Sequence, residues 1–357
     1  MSLCVSKKIN VLAQLKNARM TKLLKLALVL AVVGGGFYFY FFKSNIPSDL
    51  KSEYIKIPTG TDVDGLKNLL ATEGVISDEG NFQQWASWLD FKTVRAGRFR
   101  VKSGWSSYDL IKHLQTGEQS PVKVVLNNER KPEQVAAKIA KVLEKDSAAF
   151  AQTFSDTALL DSIGLSRPTL MCIFLPNTYE VFWNIEPRKF IERMAKEYKR
   201  FWTPERVALA KAQGLTPEQA ITMASIVDGE SKYEDERARV AAAYLNRLKQ
   251  NIKLQADPTV QFALMEIEGT ASFRRLYNVD YLKPHPYNTY LNYGLPPGPI
   301  CMPQPSSVDA VLKPAQHNFM YFVAKPDNPG YHTYAETYEQ HLVNVKAYQQ
   351  ALAKQKQ

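Results

Sequence analysis

The sequence predicts an α+β protein carried on a single N-terminal transmembrane helix, with a small α+β module followed by a larger mixed α/β domain. Three observations carry this prediction. An uncharged apolar run, Leu26 to Phe42, follows a tail that has basic residues and no acidic ones. Short alternating patterns such as YIKIP and PVKVVLN are interleaved with helical spacings. The stretch from Leu215 to Leu264 contains two consecutive helix signals with a glutamate, Glu230, at their junction.

Residues 1–25 carry Lys7, Lys8, Lys16, Arg19, Lys22 and Lys25. The run at 26–42, LALVLAVVGGGFYFYFF, is short for a span, but Lys25 can snorkel and the Tyr/Phe cluster suits an interface belt. A cleaved signal peptide is the competing reading. The long basic region and the lack of a small-x-small site after Phe42 argue against it. The positive-inside rule then places the N-terminus in the cytoplasm and everything after Lys43 outside it.

Residues 43–120 read as the small module. YIKIP is a strand, Thr61 to Glu73 a helix stopped by Gly74, AGRFRVKSG a second strand, and Ser107 to Gln115 a second helix ended by Gly117. A strand followed by a short helix, repeated, resembles a LysM-like carbohydrate-binding module. Exposed Trp85, Trp88 or Trp105 would stack on sugar rings; packing inside the module is the competing role for each.

The larger domain, 121–357, opens on the strand PVKVVLN. Helices are expected at Lys131 to Glu144, Asp146 to Phe154 and Leu159 to Leu165. FLPNTYEVFWN follows, with Pro176, Asn177 and Thr178 at a turn, then helices from Pro187 to Trp202 and Pro204 to Gln213. Downstream, Asp257 and Pro258 read as N-cap and first residue of a short helix. YNTYLNYGLPPGPI (287–300) is a loop rich in rings and amides, stiffened by Pro296, Pro297 and Pro299. Such an inventory suits a groove that grips sugars by aromatic faces and hydrogen bonds. An edge-like strand NFMYFVAK, an exposed YHTYAETY and a final helix to Ala353 close the chain.

A chain of 357 residues with 45% hydrophobic content can bury a large core. Its formal charge of +10 is compatible with nucleic acid, an anionic membrane surface or an anionic polymer, but much of the excess lies in the N-terminal tail. There is no P-loop, dinucleotide fingerprint or zinc-finger spacing, so no cofactor and no nucleic acid is expected. Cys4, Cys172 and Cys301 form no CxxC pair, and Cys4 lies across the membrane from the others. Only Cys172 and Cys301 could pair, and isolated buried thiols are favoured. The histidines 113, 285, 317, 332 and 341 show no metal-binding spacing.

The chemistry concentrates at Glu230. Thr216-Pro217-Glu218-Gln219 is a capping box with proline at the first helical position. Ala220, Met223, Ala224 and Val227 form the core-facing stripe, and Glu230 is the next position on it. A carboxyl group where the pattern calls for an apolar side chain faces desolvation, which favours its proton-donating form. The competing reading is a solvated helix end. Gly229 removes a side chain beside the carboxyl, which would let a bulky substrate approach. The next helix, Glu234 to Lys249, carries Glu234, Asp235 and Glu236 at its start and Arg247 and Lys249 at its end, matching the macrodipole.

Taken together, ASIVDGES, DERARVAAAYLNRL, LQADPTV, YNTY, GLPPGPI, MYFVA and HTY occur in an order and spacing that resembles the endolytic murein transglycosylase (YceG-like) family. The match runs from about residue 215 to 341, and the anchor, the LysM-like module and FLPNTY extend it over nearly the whole chain. The resemblance implies cleavage within peptidoglycan glycan strands to give 1,6-anhydro-muramyl ends, with Glu230 as general acid and then base. Gln255, Asp257, Asn288, Tyr290 and Asn177 are read as groove residues and Glu236 with Arg237 as structural support, and the resemblance suggests work beside membrane peptidoglycan synthases. Two departures stand out. Asp228 occupies a position where the family usually has Glu, and Met171, Cys172 and Asn177 replace a Glu-Gly and an Asp. Two other readings remain: a lysozyme-like hydrolase using Glu230 with a second carboxylate (Asp228, Glu234, Glu236 or Asp257), and a non-enzymatic wall-binding scaffold.

Overall fold

The computed structural model describes residues 2–270 and 274–355, with side chains from Arg19 to Lys354; Cys4 and the tail lysines 7, 8 and 16 lie outside the described side chains. The chain divides into two compact units, Met1–Pro121 with Phe182–Asn184, and Val122–Val181 with Ile185–Gln357.

The first unit begins with one long helix, α1 (Ser2–Phe42). Its Arg19–Phe42 segment, 24 residues, is long and apolar enough to cross a membrane. Strand β1 (Tyr54–Ile57), helices α2 (Val63–Thr72) and α3 (Glu79–Trp88), strand β2 (Gly97–Arg100) and helix α4 (Ser107–Thr116) follow. The strands pair antiparallel, Tyr54 opposite Arg100 and Ile57 opposite Gly97. Ile55, Ile57, Leu66, Leu70, Phe82 and Phe99 form the core beneath them. The expected strand–helix repeat is thus broken by an additional helix, α3. Its apolar positions, Phe82, Trp85 and Ala86, are few, and its start rests on Asp78, whose side chain accepts from Asn81 N.

The second unit opens with β3 (Val122–Leu126), then α5 (Pro132–Ala140), α6 (Ser147–Phe154), α7 (Thr157–Ser162), a 3-10 turn at Leu170–Ile173 and β4 (Asn177–Val181). Asn177, expected at a turn, instead begins β4, where it pairs with Leu126. Tyr179 and Val181 alternate into the core, and that burial outweighs the local Pro-Asn turn signal. Helices α8 (Pro187–Phe201), α9 (Pro204–Ala212), α10 (Pro217–Glu230), α11 (Glu234–Lys249) and α12 (Asp257–Glu268) follow, then α13 (Pro305–Leu312), β5 (Tyr321–Ala324), β6 (His332–Ala335) and α14 (Tyr338–Gln355).

Helix α10 is the axis of this unit. The capping box forms as expected: Thr216 Oγ1 accepts from Gln219 N, and Thr216 N donates to Gln219 Oε1. Not only the predicted stripe but every residue from Ala220 to Val227 is buried. Helices α9, α11, α12 and α13 pack around it, and Ala220, Ala224 and Ser225 are small enough to admit close neighbours. Inside this packing, Ser225 Oγ donates to Thr222 O and accepts from Ile300 N, which ties the proline-rich loop to α10. Cys172 and Cys301 are both buried and free, and each thiol lies against a carbonyl of α10. The segment expected to be exposed near the C-terminus is strand β6, pairing antiparallel with β5 from Tyr321–Ala335 to Ala324–His332.

Candidate active site

Helix α10 ends at Glu230, and the three-residue link Ser231-Lys232-Tyr233 turns directly into α11. The link is held by its own bonds. Ser231 Oγ accepts from Tyr233 N, and Tyr233 stacks on Tyr331 with ring centroids 4.5 Å apart. The rigid link fixes the position of the Glu230 side chain at the wall of a cavity of about 370 Å³. Tyr244, Arg247, Gln255, Asp257, Tyr290 and His332 also line this cavity, with Tyr321 to Ala324, Tyr338 and His341 completing the wall.

Glu230 is the group whose environment is most telling. Burial, partly offset by the Tyr244 hydrogen bond and reinforced by the Asp257 charge, pushes its carboxyl up to about 7. Tyr244, on the buried face of α11, donates its hydroxyl to Glu230 Oε1 at 2.6 Å. That bond occupies one carboxyl oxygen and leaves Oε2 as the oxygen for the acidic proton. A carboxyl with a value near 7 can both hold and release a proton around neutral pH.

Asp257 does not cap α12. The cap position is Ala256, and no side chain closes the helix start. Instead Asp257 Oδ1 accepts from Tyr290 OH at 2.7 Å and Oδ2 from Tyr281 OH at 3.4 Å. Both oxygens are thus turned toward hydroxyls of the segment after α12. Gln255 sits in the left-handed region (φ 51°), a conformation that disfavours a side-chain-bearing residue. Arg247 holds it there: its Nη2 donates to Gln255 Oε1 at 2.7 Å and its Nη1 to Leu254 O at 3.1 Å. The arginine that reads in sequence as a macrodipole complement is therefore a buried clamp.

Asn288 and Asn177 are not brought to the cavity. Asn288 is fully buried; its amide donates to Tyr281 O and Lys283 O, and its Oδ1 accepts from Tyr290 N. It shapes the loop that carries Tyr290. Asn177 is exposed and lines a separate, smaller depression with Pro176, Tyr179 and Arg200.

Glu236 and Arg237 hold the frame. Glu236, buried, accepts from His332 N at 2.7 Å and lies 3.0 Å from His332 Nδ1, joining the start of α11 to β6. Arg237 donates to Ser306 Oγ at 2.6 Å and pairs with Asp228 at 3.3 Å. Asp228 in turn accepts from Ser307 Oγ at 2.5 Å. The substituted Asp228 thus serves the junction of α10, α11 and α13. Gly229 has a different role from the one its sequence position suggests. A Cβ there would lie 2.9 Å from Pro258 Cβ, so the missing side chain lets α12 approach α10.

Sequence reasoning missed Tyr244, His332, Tyr321 and Phe322. For Tyr244 a signal existed: with Arg237, Val240 and Ala241 it forms the buried face of α11. For His332 the only signal was membership of the HTY motif, since its partner Glu236 is 96 residues away.

These features define a protein organised around one protonatable carboxyl group at the wall of an aromatic, amide- and arginine-lined cavity. The family model described as the YceG-like family matches residues 55–347, and the chain belongs to that family. A relative from Bacillus subtilis named endolytic murein transglycosylase is 28% identical over 330 residues, covering 87% of this chain and 89% of its own. One of the same name from Streptococcus pneumoniae is 25% identical over 349 residues, covering 88% of this chain. This chain spans 63% of that relative's length. The crystal structure of a YceG-like protein from Listeria monocytogenes superposes with a TM-score of 0.53 at 25% identity, covering 81% of this chain and 98% of its own.

Proposed function

We propose that this chain is an endolytic murein transglycosylase, cleaving MurNAc-GlcNAc linkages within nascent peptidoglycan strands. The observation that carries the reading is the Glu230 carboxyl, raised to about 7 at the wall of the cavity. The family, and the names of the relatives, agree with it.

In this mechanism the Oε2 proton of Glu230 passes to the glycosidic oxygen as its bond to the anomeric carbon breaks. The 6-hydroxyl of the muramyl residue attacks that carbon, and the Glu230 carboxylate takes the hydroxyl proton. One bond to the anomeric carbon replaces another, the enzyme regains its proton and no water is consumed. A single acid suffices, in contrast to the paired carboxylates of a hydrolase. Gln255, Asp257 and Tyr290 supply the polar wall for sugar hydroxyls and amides, with Asn288 acting through the position of Tyr290. A role for Asn177 requires the glycan to run outside the cavity.

The 24-residue apolar segment of α1, Arg19–Phe42, supports a single-pass anchor. With the basic tail cytoplasmic, the units after Lys43 lie outside the cytoplasm, where nascent strands and their synthases meet. Residues 43–120 are read as a LysM-like module in which α3 is added to the expected strand–helix repeat. Digestion of uncross-linked glycan strands by the full chain and by Glu230→Gln tests the proposal. The parent should release oligosaccharide fragments and the variant none at the same concentration. Equal release by both would remove Glu230 from the mechanism.

A lysozyme-like hydrolysis has one specific observation in its favour: Asp257 lies in the same cavity and its charge bears on Glu230. The other candidate partners are committed elsewhere, Asp228 to Ser307 and Arg237, Glu234 to Ser306 and Arg237, and Glu236 to His332.

A further inference from the structure

Helix α1 does not lead into a tether. Within three residues of its end the chain is part of the first unit: Asn45 N and Ile46 N donate to Trp105 O, and the Asn45 side chain bonds to Ser107 Oγ and Asp78 N. The last carbonyls of a helix normally need water or a cap. Here α3 provides the cap. Asn81 Nδ2 donates to Tyr40 O at 3.2 Å and Trp85 Nε1 to Phe41 O at 2.9 Å. Phe39 O accepts from Lys43 N. With the carbonyls of Phe39, Tyr40 and Phe41 satisfied by protein, this helix end can stop inside the interfacial layer of a bilayer.

The ring contacts fix the depth of α3. The Trp88 ring lies 4.6 Å from Phe41 and 6.0 Å from Phe37, on the flank of the apolar run. Phe37 is twelve residues beyond Lys25, so at 1.5 Å per residue it stands about 18 Å above the snorkelling lysine, within a hydrocarbon core of about 30 Å. A side chain in contact with Phe37 is therefore below the outer membrane surface. Trp88 is nonetheless 48% exposed, an unusual state for an indole packed at one edge on phenylalanines. Lys43, at the helix end, lies over the Tyr40 ring and pairs with Asp78, the N-cap of α3.

We propose that α3 is a membrane-facing helix: Trp88, packed on Phe37 and Phe41, enters the outer leaflet of the phospholipid bilayer that α1 spans, and holds the first unit against the membrane. Trp88 is then a lipid contact and does not stack on sugar. The inference rests on the reading of α1 as an anchor.

The test uses the full chain in phosphatidylcholine–phosphatidylglycerol vesicles containing lipids brominated high on the acyl chain, beside Trp88→Phe. Tryptophan quenching by the brominated lipid and by aqueous iodide is measured after flotation of the vesicles. The variant should lose about half or more of the lipid-quenchable emission, because Trp88 is the exposed indole at the depth of Phe37 and Phe41, while iodide quenching is unchanged. If the protein floats but the variant keeps all of its lipid quenching, or loses iodide quenching instead, Trp88 faces water and the proposal is wrong while the anchor stands. If the parent chain does not float with the vesicles, the anchor reading itself fails, and this inference with it.

Discussion

Replacing Glu230 by Gln should make the protein more stable at neutral pH, by an amount set by the burial of the carboxyl. The folded-state value is about 7 against an ordinary 4.5. Because the folded value is the higher one, the folded chain binds more protons than the unfolded chain between these limits, and stability falls as pH rises through them. The loss is nearly absent at pH 4, about 1 kcal/mol at pH 5 and about 3 kcal/mol at pH 7 and above. Glutamine has the same shape, keeps an acceptor for Tyr244 and has no charge to desolvate. The difference in unfolding free energy between variant and parent should therefore grow by about 3 kcal/mol from pH 4 to pH 8. Urea unfolding of the full chain in mild detergent, followed by tryptophan fluorescence across that range, measures it. Other titrating groups are common to both proteins and largely cancel. A difference that stays flat with pH would show that Glu230 ionises like a solvated carboxylate, and the argument for a stored proton would collapse.

Further substitutions probe the surroundings of that carboxyl. Tyr244→Phe removes a bond that holds the Glu230 value down, so the alkaline limb of the pH–rate profile should move to higher pH, with a lower maximal rate and a stability loss of about 1 kcal/mol. Asp257→Asn removes a charge that raises Glu230, so the same limb should move to lower pH; matching shifts in the two variants would contradict the assigned causes. Gly229→Ala places a methyl group 2.9 Å from Pro258 Cβ and should destabilise by about 1–3 kcal/mol in urea unfolding, with activity lost as α12 is displaced. An unchanged midpoint would mean that α10 and α12 do not approach so closely.

Much of this arrangement was legible because it is local. Thr216, Pro217 and Gln219 define a helix start within four residues, and the stripe through Val227 leads to Glu230 by spacing alone. The acid-to-base gradient marked α11 with its observed limits, Glu234 and Lys249. What the chain concealed is long-range. Asp257 looked like a cap because Asp-Pro is a common helix start, but the hydroxyls that engage it, Tyr281 and Tyr290, lie 24 and 33 residues away. Gly229 suggested open space, yet its neighbour is Pro258, on another helix. Helix α3 was invisible because its apolar face is short and partly directed at α1. In each case the deciding contact joins residues that no periodicity relates.

The most direct test of the central claim is the fate of water. Uncross-linked glycan strands would be digested by the full chain in H2(18)O and the new fragment ends analysed by mass spectrometry. Transfer to the substrate's own 6-hydroxyl predicts anhydro-muramyl ends, lighter by one water than reducing ends and free of the heavy isotope. Reducing ends carrying the isotope would establish hydrolysis, and would make Asp257 the first candidate for the second carboxylate.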